Sequence, residues 1–326
     1  MLIILITRLL VFLIIQPEVG FSEVQILGLE SLFNESAGPV YQLLSSGLSF
    51  ILSNSYLNAL FASIFILWNA TLLNAILIRN SAFEENTYIP AALYIVLLGF
   101  DLDNYFVSSE LIGTTGLLIS IAFLQQHLRF RNSDEKVLSL GCTLAIASLI
   151  HAPFAWYLIL ILLLFLFYSG TVGRRYLLLL WGFLMILIIA WLPFVFSEQG
   201  GEFWKGYAEG FLRFRFEKDW LTNLVIGLSI PILISLKSSV GNLAGMGMTN
   251  IQITVKRVFT WIGFFGILTL AFQSNQSASS ANVLILALSY FTTEHLLGVR
   301  RKWLAELTFS GLLILMLAVL YLSPLY

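Results

Sequence analysis

The carboxylates of this sequence gather in short segments between long hydrophobic runs. The first segment, Pro17 to Leu52, holds Glu18, Glu23, Glu30 and Glu35 and contains no Lys or Arg. A carboxylate above a membrane-embedded substrate can act as a general base if it lies within hydrogen-bond reach of the acceptor proton. An acidic, solvated loop is the simpler interpretation of each single glutamate. Apolar residues recur through the same segment at helical spacing, which predicts short amphipathic helices along the membrane interface.

A second acidic feature is the pair Asp101 and Asp103, within the run Gly99 to Asn104. Two carboxylates at this spacing suit a divalent cation or a hydroxylated substrate. Asp-rich turns also end helices for local reasons, through side-chain bonds to the backbone, and both interpretations stay open. Glu110 follows inside the next hydrophobic run, where an ionisable group is costly and by default functional. The alternative is that Glu110 snorkels to the interface.

The third feature is the segment Ser197 to Trp220, in which basic and acidic residues alternate with aromatic side chains. Arg213 and Arg215, beside Lys205, are suited to clamp a lipid phosphate, because a planar guanidinium makes bidentate phosphate contacts. An interfacial helix with an aromatic belt and self-neutralising charges explains the same pattern.

The elements that position these segments are the hydrophobic runs, which make up most of the chain. Of the 326 residues, 59% are hydrophobic and only 11% are charged. Soluble domains carry roughly a quarter charged residues. The runs are continuous, as in spanning helices, whereas barrel strands alternate apolar and polar residues. The formal net charge of -1 argues against a nucleic-acid partner. A single cysteine, Cys142, excludes a disulfide framework within the chain.

The sequence predicts an all-α, polytopic transmembrane bundle of about eleven helices that forms one domain over residues 1–326. Residues 17–52 form an outer acidic loop with interfacial helices, and residues 197–220 form an outer basic and aromatic segment. The predicted spans are Leu2 to Gln16, Ser55 to Ile78, Tyr88 to Phe100, Phe106 to Gln125, Val137 to His151, Phe154 to Gly170, Tyr176 to Phe196, Leu221 to Leu236, Phe259 to Phe272, Asn282 to Leu297 and Leu304 to Leu322.

The distribution of Lys and Arg predicts the orientation of the bundle. A cytoplasmic N-terminus places 12 of the 17 basic residues inside, as the positive-inside rule requires. The lipid bilayer is then a partner, and all three chemical features lie outside. Arg8, Glu294 and Glu306 fall toward cytoplasmic ends of spans, where a structural ion pair of Arg8 with one of the glutamates is expected. The Gly-rich segment Ser238 to Thr254 is expected to be an inner connector.

The order of these features resembles the GT-C fold glycosyltransferases, polytopic enzymes that take sugars from polyprenyl-phosphate donors. The matching run SEVQILGLESLFNESAGPVY puts Glu23 at the family's acidic position, usually an aspartate, with Gly38-Pro39 following. Asp101 and Asp103 are similar to the second acidic loop of the family. The run Gly173 to Phe196 is similar to its helix that starts basic and ends in Trp or Pro. The resemblance covers roughly residues 1–220, and the layout also resembles bacterial polytopic membrane proteins that have no assigned function.

The resemblance implies glycosyl transfer at the outer leaflet of a bacterial inner membrane. Glu23 would be the catalytic base, with Asp101 and Asp103 orienting the acceptor or a possible divalent cation. The substrate-binding residues would be Glu30, Glu110, Lys205, Arg213 and Arg215. The alternatives from other classes are a transporter or flippase for a lipid-linked or anionic substrate, and a non-catalytic scaffold of the cell envelope.

Overall fold

The computed structural model describes residue 6 and residues 38–47, 54–100, 102–130, 134–169, 172–197, 200–212, 218–241, 249–271, 281–299 and 302–322. All secondary-structure elements in this part are helices, which confirms the all-α fold class. Its α-helices are α1 (Pro39–Gly47), α2 (Ser55–Arg79), α3 (Ile89–Leu97), α4 (Ser109–Phe130), α5 (Asp134–Ile150), α6 (Trp156–Leu164), α7 (Gly173–Phe196), α8 (Gly200–Leu212), α9 (Lys218–Gly241), α10 (Asn250–Ala271), α11 (Asn282–Gly298) and α12 (Lys302–Leu322). Short 3₁₀ turns cover Leu98–Phe100, Leu102–Tyr105 and Ala152–Ala155, and a π-helical turn covers Phe165–Ser169.

Four of the described helices, α2, α4, α7 and α10, are long and apolar enough to cross a membrane. In α7 only 22% of the most apolar window is buried inside the protein. Large apolar side chains such as Leu177 and Trp181 are instead exposed on its surface. A continuous apolar surface of this kind is rare on proteins in water and is expected against hydrocarbon. The chain is therefore a helical membrane protein.

The ends of several helices follow from local side-chain chemistry. Asn54 caps α2, because its side-chain oxygen accepts the backbone N–H groups of Tyr56 and Leu57. Pro90 lies in the first turn of α3, where its missing N–H and fixed φ are tolerated. The Ser108 hydroxyl accepts the N–H of Leu111 at 3.1 Å and so starts α4. Each of these residues lies in the first turn of its helix or directly before that turn.

The core of the bundle lies around the short helix α3. Most of its side chains are buried, and it packs between α2 and α11. On one side of it, α4 packs against α2 and α5, and α5 packs in turn against α7. On the other side, α11 packs against α9 and α10. The apolar faces of helices distant in the sequence thus enclose a continuous core.

The helices α5 and α7 approach each other through two glycines. A Cβ atom on Gly141 would overlap the carbonyl oxygen of Leu179, and one on Gly182 would lie 2.6 Å from the carbonyl oxygen of Leu138. Small residues let helix backbones approach closely in membranes, where dispersion contacts hold helices together. The two glycines therefore set the separation of this helix pair.

The bundle has two ends, each formed in part by connections between helices. The α1 end is formed by α1, α8, the connection 98–108 between α3 and α4, and the connection 150–155 between α5 and α6. The opposite end is formed by the connection 80–88, the start of α5, the start of α10 and the last turn of α11. The chain passes between the two ends through α2, α3, α4 and α5 in succession.

The predicted span Phe259 to Phe272 was wrong at its start, because α10 begins at Asn250. The predicted span starts after Lys256 and Arg257, because charged residues interrupt the hydrophobic run there. In the structure Lys256 is only 7% exposed, since Glu294 compensates its charge inside the bundle. The expected connector Ser238 to Thr254 is correspondingly shorter, as its first residues belong to α9 and its last to α10.

Other helix boundaries in the structure differ from the predicted span boundaries by a few residues. The predicted span Phe106 to Gln125 is α4, which starts at Ser109 and continues to Phe130. The predicted span Tyr88 to Phe100 divides into α3 and a 3₁₀ turn. The predicted span Leu2 to Gln16 lies outside the described residues, apart from residue 6.

Candidate functional site

The helix α1 lies in the acidic segment, after its four glutamates, and docks on the end of α5. The backbone N–H of Gly38 donates to the carbonyl oxygen of Ile150 at 2.8 Å. No larger residue fits there, because a Cβ atom on Gly38 would overlap the carbonyl oxygen of Leu149. The Tyr41 hydroxyl, which is buried, donates to the carbonyl oxygen of Val107 at 3.3 Å. The Gly-Pro start of α1 is thus fixed to two other connections of the α1 end.

Two asparagines of α2 hold the connection between α3 and α4, which carries the Asp101 and Asp103 positions, and the first turn of α4. Asn58 accepts the N–H of Val107 at 2.7 Å, and Asn69 donates to the carbonyl oxygen of Leu111 at 2.9 Å. Both asparagine side chains are buried. Buried amides that bond to backbone groups of another segment fix its position, because leaving either group without a partner is costly.

The helix α8 docks on the same end of the bundle. The Tyr207 hydroxyl donates to the Ser148 hydroxyl at 3.0 Å, and the Trp191 indole N–H donates to the carbonyl oxygen of Gly200 at 3.0 Å. Burial raises the pKa of Tyr207 to about 12. The phenol therefore stays neutral at physiological pH and remains a hydrogen-bond donor. The segment Ser197 to Trp220 is thus helical over the part that α8 covers.

Replacing Tyr207 with Phe tests how firmly α8 is attached. The change removes one buried hydrogen bond, and we expect the free energy of unfolding to fall by about 1 kcal/mol. Amide hydrogen exchange in α8 should become faster while exchange in α2 stays unchanged. The matched control is Tyr88→Phe, because Tyr88 is 68% exposed. Equal exchange in α8 for wild type and Tyr207→Phe would show that the hydroxyl does not hold this helix.

The connection between α5 and α6 is the meeting point of these segments. His151 is 1% exposed, and its Nδ1 atom lies 3.1 Å from the Ser109 hydroxyl at the start of α4. The ring also packs edge-on against Phe154, with ring centroids 4.7 Å apart. No motif in the sequence marks His151 or Ser109 as a site residue. Their pairing joins residues 42 positions apart, and no local pattern could have predicted it.

Glu110 faces the bundle, not the interface. Its side chain is 1% exposed, and its carboxylate lies next to the backbone N–H groups of Asn282 and Val283, while its Oε2 atom has no hydrogen-bond partner among the described residues. These are the first N–H groups of α11, whose N-cap residue Ala281 has no side chain to bond them. A carboxylate at a helix N-terminus is stabilised by those N–H groups and by the helix dipole. Glu110 therefore takes the position of a cap at the start of α11, with one of its two oxygens left unpaired among the described residues.

The structure describes three of the predicted site residues, Asp103, Glu110 and Lys205. Asp103 lies in the 3₁₀ turn Leu102–Tyr105 at the α1 end, and Lys205 is exposed on α8 at the same end. Glu110 is buried below them at the start of α4. The remaining predicted site residues lie outside the described residues: Glu23, Glu30, Asp101, Arg213 and Arg215.

The opposite end carries a buried ion pair that differs from the expected one. Glu294 pairs with Lys256 of α10, with Nζ 2.7 Å from Oε1, and its Oε2 accepts the Ser238 hydroxyl at 2.6 Å. The proposed partner Arg8 lies outside the described residues. Glu294 therefore has a cation and a hydroxyl on its two oxygens, and the cation is Lys256. An ion pair of Arg8 with Glu294 or Glu306 stays a prediction.

Metal binding is not supported by the carboxylates that the structure describes. In this part of the chain, no three His, Cys, Asp or Glu side chains lie close enough together to hold a metal ion. The acidic positions Glu23, Glu30 and Asp101 are not included in that statement, because they lie outside the described ranges.

No protein-family model matches the chain, and neither the curated proteins nor the solved structures contain a match.

Proposed function

We propose that this membrane protein is a glycosyltransferase that takes a sugar from a polyprenyl-phosphate donor at the α1 end of the bundle. The observation that carries the proposal is the convergence of three segments there. The helix α1, which follows the glutamates of the acidic segment, contacts the connection that carries the two aspartates through Tyr41 and Val107. The helix α8, which leads into Arg213 and Arg215, docks on α5 through Tyr207.

Convergence supports the proposal because transfer from a lipid-linked sugar needs an acid-base group, an acceptor site and a phosphate site within one small volume. In this sequence each requirement is met by a different segment. Carboxylates precede α1, aspartates lie between α3 and α4, and arginines follow α8. A bundle that served only as a scaffold would not need these three segments at one end.

In the proposed reaction, Glu23 removes the proton from an acceptor hydroxyl as its oxygen attacks the anomeric carbon of the sugar. The bond from that carbon to the phosphate oxygen breaks, and the electron pair leaves with the phosphate. Arg213 and Arg215, together with Lys205, stabilise the negative charge that develops on the leaving phosphate. Asp101 and Asp103 orient the acceptor or a divalent cation.

Glutamates near this site have supporting roles in the proposal. Glu30 lies on the acidic segment and contributes to acceptor binding. Glu110 acts as a positioning residue, because its carboxylate is bound to the start of α11 and is buried. By fixing α4 against α11 it keeps the aspartate connection in place.

The proposed topology has about eleven spans, with the N-terminus in the cytoplasm of a bacterium and the α1 end facing outward across the inner membrane. The helices α3, α5, α6, α9, α11 and α12 then cross the membrane together with the four long apolar ones, and the run Leu2 to Gln16 is the eleventh span. The concentration of Lys and Arg at the opposite end supports this orientation. Cysteine labelling from each side of intact cells, after Cys142→Ser, tests it.

Glu23→Gln tests the catalytic assignment. We expect transfer of a radiolabelled sugar from polyprenyl phosphate to fall by at least about a hundredfold, since general-base catalysis contributes about 10² to 10⁴. The matched control is Glu18→Gln, which removes the same charge from the same segment. Helical content and thermal stability should be unchanged in both variants.

The outcomes separate the candidate functions. Loss of transfer in Glu23→Gln with retention in Glu18→Gln supports the proposal. Full activity in Glu23→Gln removes Glu23 from the mechanism. Movement of a labelled polyprenyl-phosphate sugar across proteoliposomes without any transfer would identify a flippase instead.

A further inference from the structure

A pocket opens at the opposite end of the bundle, far from the proposed transfer site. Its volume is about 300 Å³, and it lies between the connection 80–88, the start of α10 and the last turn of α11. Its walls include Phe83, Glu84, Glu85, Gln252, Glu294 and Leu297. This volume matches the lower end of small-molecule sites, which run from about 300 to 1,000 Å³.

One wall of the pocket is aromatic and firmly packed. The Phe83 ring stacks on the ring of Tyr290, with centroids 5.4 Å apart, and Tyr290 stacks on Phe259 at 4.7 Å. Tyr290 and Phe259 are both buried. Because a packed stack supports Phe83 from behind, its ring forms a fixed surface of the pocket, and aromatic faces attract cations.

The charged groups on the wall are all acidic. Of the three glutamates, Glu294 has its charge compensated by Lys256, which is not itself a lining residue of the pocket. Glu84 and Glu85 are exposed at the rim, and neither has a basic partner among the residues that the structure describes. Two uncompensated carboxylates at the mouth of a partly enclosed pocket concentrate negative potential inside it.

These carboxylates are not arranged as metal ligands. In the described part of the chain, no three acidic, His or Cys side chains lie close enough to share one ion. Spaced carboxylates beside an aromatic ring and an aliphatic side chain instead match a molecule that has positive groups separated by hydrocarbon.

We infer that this pocket binds an organic cation, an amine whose apolar stem lies against Phe83 and Leu297 and whose ammonium groups bond to Glu84 and Glu85. The Lys256 ammonium on Glu294 shows the contact that such a ligand makes, because Nζ lies 2.7 Å from a carboxylate oxygen of the same pocket. The inference is independent of the transfer reaction, which is assigned to the other end of the bundle.

Calorimetric titration of the full chain in neutral detergent at low ionic strength tests the inference, with hexamethylenediamine as the probe. We expect a Kd below about 1 mM for the diamine. Neutral hexanediol and anionic adipate, which have the same carbon chain, should not bind. Glu84→Gln with Glu85→Gln should weaken diamine binding at least about tenfold, because both rim charges are lost.

The matched control is Glu202→Gln with Glu209→Gln, which removes two exposed charges from α8 at the α1 end. Unchanged diamine binding in this control supports the pocket, whereas equal weakening in both double variants would show general surface attraction and overturn the inference. Absence of diamine binding, or displacement of the diamine by equimolar Mg²⁺, would also overturn it. Phe83→Leu should weaken binding about threefold through loss of the aromatic face.

Discussion

Replacing Lys256 with Met should lower the free energy of unfolding by about 3 kcal/mol, because it leaves the Glu294 carboxylate buried without a cation. The two side chains are only 9% and 13% exposed, so water cannot take over the role of the lysine. The Ser238 hydroxyl still donates to Oε2, but a neutral donor does not compensate a charge. SDS-induced unfolding in mixed micelles measures the change, and thermal unfolding should shift downward by roughly 6 °C.

The double variant Lys256→Met with Glu294→Met distinguishes the contribution of the ion pair to stability from the contribution of side-chain packing. Removing both charges also removes the desolvation cost, so we expect the double variant to recover most of the lost stability. Lys237→Met is the matched control, since Lys237 is an exposed lysine at the same end of the bundle. If Lys256→Met and Lys237→Met are equally stable, Lys256 and Glu294 are not a buried pair in the membrane.

Replacing Gly141 with Ala should lower the free energy of unfolding by about 2 kcal/mol. The added methyl group would overlap the carbonyl oxygen of Leu179, which belongs to the backbone of α7 and cannot move alone. The two helices must therefore separate and lose dispersion contacts along their interface. The effect runs against helix propensity, which by itself favours Ala over Gly by about 1 kcal/mol.

The matched control for this prediction is Gly311→Ala in α12. A Cβ atom at Gly311 has no neighbour within 4 Å, so only the propensity gain remains and stability should stay equal or rise. Both variants are compared by SDS-induced unfolding, with helical content followed by circular dichroism. An equal change in the free energy of unfolding for Gly141→Ala and Gly311→Ala would contradict the close packing of α5 on α7.

Several elements were predictable because their signals are local. Long apolar runs marked the helices α2, α4 and α7, and the spacing of apolar residues before the second run predicted a short helix that the structure contains as α1. Turn residues such as Asn54 and Pro90 set helix starts through their own backbone chemistry. These features depend on neighbours within one or two turns, which a single sequence displays.

The start of α10 was mispredicted for a physical reason. A lysine ends a hydrophobic run in any local measure of hydropathy, because burying an ammonium alone is very costly. Glu294 removes most of that cost for Lys256, but it lies 38 residues further along the chain. Only the packing of α10 on α11 brings the two charges together.

By itself the sequence determined that the chain is built of apolar helices and that its unusual charges lie in the segments between them. The tertiary structure alone decided what those segments contact. It joined α1, α8 and the connection after α3 at one end, placed Glu110 at the start of α11 and paired Lys256 with Glu294. Helix formation follows from short-range periodicity, whereas each of these contacts joins residues far apart in the sequence and exists only once the helices have packed.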